Sequence, residues 1–409
     1  MASRGARAAF SGGVVAVALL GVVASTVHAA PGRTHPLSGA ARPSANPAAN
    51  PALSGLGDSE LMGLAAIAGA GLEVRHVMKV KGPDPSIDLG RAAGPSAAPA
   101  AGGPPPAPTS AGAVAGIPVA WHSGAAGEAA VSGAFGGWRG KPLQIMGTWS
   151  DTTHEAQRDV DSLYRYADWD GDLDIAIGAL VSGESWSAAA SGAYLDRWTH
   201  AVRTIRAQRS GHRGVAYIRF AHEMTGDWFP WKVTSADASD FKRAWRLFAG
   251  MLRREYPQAR LVFSPNDGSA TDAGVDQIWP GDDVVDVVGP DSYDGYPNKT
   301  SQSLWDDWID STRNGPMGLG AWRRFATDHG KPMSLPEWGL RNQDNPFYIT
   351  KMHQFLAECA PRPGDASLAG KCIYDIYFNI ANGGNNGFMI YGGPNPDAAS
   401  RYRGLLWGS

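Results

Sequence analysis

Short apolar runs alternate with longer amphipathic stretches from residue 117 towards the C-terminal end of the chain. Runs of about four to eight apolar residues are typical of buried strands, and apolar positions at helical spacing indicate helices. Their alternation predicts a parallel sheet covered by helices. The predicted strands are 117–121, 143–149, 173–180, 215–220, 261–264, 284–289, 332–336 and 373–378, and the predicted helices include 194–208, 236–255, 303–328 and 345–359.

Eight strand-and-helix units within roughly 290 residues predict a (β/α)8 barrel, the TIM barrel of the α/β class. An open, doubly wound sheet is the alternative, and it typically carries a Gly-rich phosphate loop after its first strand. No such loop follows the first predicted strand, and no repeat of fixed period is visible. We therefore predict one barrel over residues 118–409.

The N-terminal end has the pattern of a targeting segment. Arg4 and Arg7 precede a short apolar run that ends in small residues. This order predicts a secretory signal peptide over residues 1–30, with an uncleaved membrane anchor as the alternative. In either case we expect the protein to be secreted or extracytoplasmic.

Residues 31–117 are rich in Ala, Pro and Gly, and Phe10 is the only aromatic residue before Trp121. A segment so rich in Ala, Pro and Gly buries too little surface to offset the entropy of ordering, although its apolar stretch at 59–80 could form a short helix. We therefore predict a low-complexity linker that is mostly disordered.

Charge and cysteine content narrow the classes of function. The formal net charge is -3, and no basic stripe is present, which argues against nucleic acid as a partner. Cys359 and Cys372 are the only cysteines. Export would permit a disulfide between them, and two separate buried thiols are the alternative. No cluster of ligands at metal-binding spacing is visible, so we expect neither a metal nor a cofactor, and we expect a monomer.

Two glutamates stand at the ends of predicted strands on opposite sides of the barrel. Glu223 follows the fourth strand, and Glu337 follows the seventh. Side chains at the C-terminal ends of barrel strands point into the mouth where catalysis occurs. Cleavage of a glycosidic bond requires two such carboxyls, one to protonate the leaving oxygen and one to attack the anomeric carbon. Each glutamate alone could be a structural ion-pair partner, but two on opposite strands favour a catalytic pair.

Polar and aromatic residues beside these glutamates are candidates for substrate contacts. Trp228 and Trp231 offer flat apolar faces on which sugar rings could stack, and core packing is the alternative for either of them. Trp149 and Asp291, at the ends of the second and sixth strands, are weaker candidates because loop caps and turns use the same residue types.

Three segments resemble glycoside hydrolase family 26, whose best-known members are β-mannanases. RFAHEMTGDWFPW, residues 219–231, resembles the acid/base signature of the family. PEWG, residues 336–339, is similar to its nucleophile segment, and DVVGPDSY, residues 286–293, is similar to its sixth strand. The resemblance covers residues 118–409, and it implies a (β/α)8 barrel and retention of anomeric configuration.

The resemblance implies a role for each matching residue. Glu223 would be the acid/base and Glu337 the nucleophile. Arg219 and Tyr293 would hydrogen-bond Glu337, and His222 would position the substrate or the acid. Two positions depart from the pattern: Thr225 stands where many members carry Asn, and Pro336 directly precedes the nucleophile.

These observations predict a secreted retaining glycoside hydrolase that acts on a β-linked polysaccharide. β-1,4-Mannan is the first substrate to expect, while mixed-linkage β-glucan, β-1,3-xylan and a bacterial exopolysaccharide remain open. So do endo or exo action and the choice between hydrolysis and transglycosylation. An alternative from another class is a carbohydrate-binding barrel without turnover.

Overall fold

The structure is a computed structural model, and it describes residues 121–150, 152–295, 297–382 and 387–408. The predicted signal peptide (1–30) and linker (31–117) lie outside the described residues. In the part of the chain that is described, no helix is both long enough and apolar enough to cross a membrane.

The strands of the described residues form one parallel sheet that closes on itself. The sixth strand of the barrel is interrupted: β6, Val287–Val288, lies within the predicted 284–289, and β7, Ser292–Tyr293, lies beyond it. β6 pairs with β8 through Val288 and Met333, and this pairing closes an eight-stranded barrel, as predicted. The strands are β1 His122–Ala126, β2 Ile145–Trp149, β3 Asp172–Ile177, β4 Ala216–Phe220, β5 Arg260–Phe263, β6 Val287–Val288, β7 Ser292–Tyr293, β8 Met333–Gly339 and β9 Cys372–Phe378.

Helices cover the outside of this barrel, and the apolar faces of strands and helices form the main core between them. A smaller apolar cluster that includes Ile145, Val262 and Ile376 comes from the strands themselves. The helices are α1 Glu128–Val131, α2 Ala134–Arg139, α3 His154–Asp159, α4 Trp186–Ala190, α5 Leu195–Gln208, α6 Ala238–Glu255, α7 Val275–Ile278, α8 Gln302–Ile309, α9 Leu319–Asp328, α10 Pro346–Cys359 and α11 Pro396–Arg403, with a 3₁₀ helix at Asp161–Tyr166.

The first strand that the structure describes is β1, and residues 117–120 of the predicted first strand lie outside the described residues. The prediction of 117–121 followed an apolar run, whereas β1 is His122–Ala126, which consists mainly of small residues. Gly124 explains why: a side chain at this position would collide with the Ile145 carbonyl on β2. Close approach of the two backbones therefore excludes the bulky residues that usually mark a strand.

The helix predicted over 303–328 is two helices, α8 and α9. A loop that contains Gly315 and Pro316 separates them, and Gly315 has a φ of 131°, which few other residues adopt. A side chain at Gly318 would collide with the carbonyl of Trp308 at the end of α8. The close packing of loop and helix therefore breaks a pattern that looks continuous along the sequence.

Cys359 and Cys372 form a disulfide, with their Cα atoms 5.2 Å apart. The bond joins the end of α10 to the start of β9. Of the two alternatives that the sequence left open, the structure has the disulfide.

Candidate active site

Three carboxyl groups meet at the C-terminal ends of the barrel strands. One carboxylate oxygen each of Glu223, Asp291 and Glu337 lies within 4.8 Å of the other two. Glu223 and Glu337 are partly exposed, whereas Asp291 is buried. The two glutamates predicted at the ends of the fourth and seventh strands therefore share one space that solvent can reach.

An unusual backbone turn delivers Glu223 to this space. Ala221 and Glu223 have φ values of 56° and 53°, in the left-handed region that residues other than glycine rarely adopt. The Glu223 backbone N–H donates to the Ser264 carbonyl beyond β5 at 2.7 Å. Strain of this kind persists only where the surrounding structure holds it, and it is frequent at functional sites.

Both carboxyl oxygens of Glu223 accept a hydrogen bond. Trp228 Nε1 donates to Oε2 at 2.9 Å, and Asn266 Nδ2 donates to Oε1 at 2.7 Å. Burial, together with the nearby carboxylate of Glu337, raises the pKa of Glu223 to about 8, and the two hydrogen bonds oppose this rise. A carboxyl group with such a pKa still holds its proton at neutral pH, which is what a general acid needs.

Glu337 has two polar partners in the positions that the sequence predicts. The Tyr293 hydroxyl donates to Oε1, as expected. The expected hydrogen bond from Arg219 is absent: Arg219 Nη2 lies 3.6 Å from Oε2, which is an ion pair rather than a hydrogen bond. The guanidinium therefore acts on Glu337 mainly through its charge.

The hydrogen bonds of Arg219 go to two buried aspartates. Its Nε donates to Asp174 at 2.6 Å and its Nη1 to Asp291 at 2.7 Å, while the Tyr374 hydroxyl donates to Asp174 at 2.7 Å. Burial raises the pKa of both aspartates. Burial also disfavours the charge of Arg219, but the surrounding carboxylates raise its pKa well above the ordinary value. Arg219, Asp174 and Asp291 therefore form a buried hydrogen-bonded network of charged residues beside Glu337.

This network contradicts one prediction and includes one residue, Asp174, that the sequence pattern did not single out. Asp291 is 1% exposed and bonded to Arg219, so its weak prediction as a sugar ligand is wrong. Asp174 was not predicted at all, although a charged residue inside the apolar strand β3 is a signal of a buried polar partner.

His222 is buried beside Glu223 and is uncharged. Burial, and then the charge of Arg219, lower its pKa well below the ordinary value. Its ring packs against Phe229 and Trp231, with centroids 4.9 Å and 5.4 Å away. A neutral imidazole offers one donor and one acceptor, which suits a positioning role.

The two predicted stacking tryptophans have different environments. Trp228 is partly exposed, so its contact with a sugar stays a prediction. Trp231 is 0% exposed, donates to the His222 carbonyl at 2.7 Å and stacks on Phe229. The prediction that Trp231 stacks on a sugar is therefore wrong, because the loop folds back and inserts this ring beneath His222.

Trp149 ends β2 and is partly exposed. Its ring stacks on Phe378 with centroids 5.7 Å apart, and Phe378 in turn contacts Tyr293 edge to face. These aromatic rings line the mouth on the side of Glu337. The predicted contact of Trp149 with sugar stays a prediction.

Pro336 fits because the neighbouring strand is broken. β6 ends at Val288, and a side chain at Gly289 would come within 2.7 Å of the Pro336 ring. The pairing of β8 with β9 shifts register between Leu335 and Trp338. The missing N–H of proline is tolerated at such an irregularity, and the shift includes the position of Glu337.

Part of the chain is similar in sequence to known glycosidases. The model of glycosyl hydrolase family 26 matches residues 180–313, a segment that contains Glu223. A mannan endo-1,4-beta-mannosidase of Bifidobacterium adolescentis is 29% identical over 201 residues, which cover 47% of this chain and 19% of that protein. The chain thus spans about a fifth of the length of this relative.

Solved structures share the fold. An endo-beta-1,4-mannanase double mutant of Cellulomonas fimi superposes with a TM-score of 0.50 and 14% identity, over 71% of this chain and 72% of that chain. An engineered protein superposes with a TM-score of 0.51 and 14% identity, over 71% of this chain and 70% of that one. At this identity the likeness concerns the barrel alone. The chain is therefore similar to glycosyl hydrolase family 26 over residues 180–313, a segment that carries Glu223 and belongs to a closed parallel barrel.

Proposed function

We propose that this protein is a glycosidase that cleaves a β-linked polysaccharide with retention of anomeric configuration. The observation that carries the proposal is the closeness of the two candidate carboxyls, since oxygens of Glu223 and Glu337 lie within 4.8 Å. Carboxyls of retaining enzymes stand about 5–5.5 Å apart, whereas inverting enzymes need roughly 6.5–9.5 Å to admit a water molecule. The short separation therefore favours direct attack by one glutamate.

In the first step the carboxylate of Glu337 attacks the anomeric carbon. The bond to the glycosidic oxygen breaks, and that oxygen takes the proton of Glu223. The departing sugar leaves with a new hydroxyl group, and the other sugar is held as an ester of Glu337. In the second step Glu223, now ionised, removes a proton from water, whose oxygen attacks the anomeric carbon and releases Glu337.

The network around Arg219 suits this change of charge. Glu337 loses its negative charge when it becomes an ester, and Arg219 then keeps hydrogen bonds to Asp174 and Asp291. The guanidinium therefore stays compensated in both states. Tyr293, which donates to Oε1, orients the carboxylate before attack.

β-1,4-Mannan is the substrate that we propose first. The Bifidobacterium adolescentis relative is a mannan endo-1,4-beta-mannosidase, and its likeness to this chain supports that choice. We also propose action outside the cytoplasm. The pattern of residues 1–30 supports export, and the disulfide Cys359–Cys372 suits an oxidising compartment.

The test is release of reducing ends by the purified protein from mannan, mixed-linkage β-glucan, β-1,3-xylan and cellulose, with early products followed by NMR. Mannan should release reducing ends, and the first product should be the β-anomer. An α-anomer as first product would contradict retention. Release from another glycan would contradict only the choice of mannan, and release from none would favour a barrel that binds carbohydrate without cutting it.

The pH dependence tests the role of Glu223. We expect kcat/KM to fall as pH rises through about 8, because the first step needs Glu223 protonated and its pKa is raised to that value. Trp228→Phe removes a donor that favours the ionised form, so the basic limb should move to higher pH. A limb that stays in place or moves to lower pH in this variant would show that Glu223 does not set it.

A further inference from the structure

Thr225 joins the loop after β4 to the loop after β5. Its side chain is buried, and its Oγ1 accepts from the Asn266 backbone N–H at 3.1 Å. The same hydroxyl lies 3.4 Å from Asn266 Oδ1 and from the Gly268 carbonyl. The Thr225 carbonyl accepts from the backbone N–H groups of Ala270 at 2.9 Å and Thr271 at 3.2 Å. Thr225 therefore contacts Asn266 through its side chain and holds the following residues of the same loop through its backbone.

The hydroxyl of Thr225 also bears on which way the Asn266 amide faces. An amide carries a donor end and an acceptor end, and a carboxylate accepts hydrogen bonds only. With the Thr225 hydroxyl beside Oδ1, Nδ2 points at Glu223 Oε1 from 2.7 Å. If the amide turned over, its oxygen would face the carboxylate oxygen, and the Thr225 hydroxyl would keep only the Gly268 carbonyl as an acceptor.

Asn266 completes a two-point attachment of the Glu223 carboxyl. Trp228 holds Oε2 and Asn266 holds Oε1, so the plane of the carboxyl is fixed. The proton of Glu223 must point at the glycosidic oxygen in the first step, and a rotated carboxyl would aim it elsewhere. In the second step the donor from Asn266 favours the ionised form that removes a proton from water.

We propose that Thr225, acting through Asn266, is a positioning residue that aims the carboxyl of Glu223. Glu223 remains the acid and base, and Thr225 touches neither the substrate nor the reacting atoms. The proposal rests on the proposed function, because it assigns a role to Thr225 within that reaction. At this position the chain carries Thr, where its resemblance to the family leads one to expect Asn.

The test compares Thr225→Val with Thr225→Ser. Valine keeps the shape of threonine without the hydroxyl, and serine keeps the hydroxyl. We expect Thr225→Val to lose about tenfold in kcat/KM on polysaccharide, a part of the roughly 10²–10⁴-fold contribution of general acid catalysis. A 2,4-dinitrophenyl glycoside needs no proton for its leaving group and should lose less than about threefold. The basic limb of the pH profile should move to higher pH, and Thr225→Ser should restore both properties.

Thr271→Val is the matched control, since Thr271 lies in the same loop as Asn266, after β5, and its hydroxyl is near Ser269 rather than Asn266. It should behave like the unchanged protein. Equal losses on both substrates with an unmoved basic limb would overturn the proposal, and so would the same substrate pattern in Thr271→Val. If Thr225→Val does not fold, Asn266→Ala can replace it in the test. This variant lacks the amide that donates to Glu223, so it should show the same difference between the two substrates and the same shift of the basic limb.

A measurement without turnover separates this proposal from the proposed function. The carboxyl of Glu223 can be titrated by ¹³C NMR, with its signal assigned by its loss in Glu223→Gln. Loss of the Asn266 donor should raise the titration midpoint in Thr225→Val and leave it unchanged in Thr271→Val. An unmoved midpoint in Thr225→Val overturns the proposed role of Thr225 even if the enzyme is active. Inactivity on every glycan with a raised midpoint contradicts the proposed function alone.

Discussion

Glu337→Ala should abolish turnover of polysaccharide and leave the barrel folded. The variant lacks the carboxylate that attacks the anomeric carbon, and loss of an essential nucleophile costs about 10⁴-fold or more in kcat. The fold should survive because Arg219, the charged partner of Glu337, keeps its hydrogen bonds to Asp174 and Asp291. Reducing-sugar release measures the loss, and a thermal melt shows whether the protein is folded.

Azide distinguishes a lost nucleophile from a damaged site. A small anion can enter the space that Glu337 leaves and attack an activated β-glycoside from the opposite face, so the product of Glu337→Ala should be an α-glycosyl azide. Glu358→Ala, on the exposed side of α10, is the matched control and should keep full activity. Substantial polysaccharide activity in Glu337→Ala, or an azide product of β configuration, would remove the nucleophile assignment.

Glu223→Ala should separate substrates by their leaving groups. On polysaccharide the leaving sugar needs a proton, so the loss should reach roughly 10²–10⁴-fold. A 2,4-dinitrophenyl glycoside should still form the ester with Glu337, but the ester should then persist because no base activates water. Rapid mixing should therefore show a burst of dinitrophenol followed by slow turnover.

Azide again gives the decisive product. It needs no general base, so it should restore turnover of Glu223→Ala on the activated substrate. Attack on the ester of Glu337 inverts the configuration a second time, and the product should be a β-glycosyl azide. Equal losses on both substrates without a burst would show that Glu223 is not the acid.

The sequence carries most of the fold because its signals are local. The alternation of apolar runs and amphipathic stretches predicted the barrel, and it placed Glu223 and Glu337 on the fourth and seventh strands. The same pattern gave wrong bounds for a strand and a helix where close backbone packing, rather than residue type, decides where the element lies. Gly124 lies too close to β2 for a bulky side chain, so β1 carries no apolar run, and the contact of Gly318 with α8 breaks a pattern that reads as one helix.

The candidate site was predicted less completely, since partners in space are distant along the chain. Asn266 lies 43 positions from Glu223, and Asp174 lies 45 positions from Arg219. Neither pair produces a periodic pattern along the sequence, so the sequence did not assign a role to Asn266 or Asp174. Trp231 was misassigned for a related reason: a tryptophan near a catalytic strand has the same local sequence whether its ring faces sugar or core.

By itself, then, the sequence determined the class of fold, the two candidate carboxylates and the resemblance to a glycosidase family, because residue type and spacing suffice for these. Only the tertiary structure shows why Glu223 can hold a proton at neutral pH. Burial and the approach of Glu337 from the other side of the barrel raise the pKa of Glu223 to about 8. A pKa depends on what surrounds a group in space, and only the closed barrel brings these surroundings together.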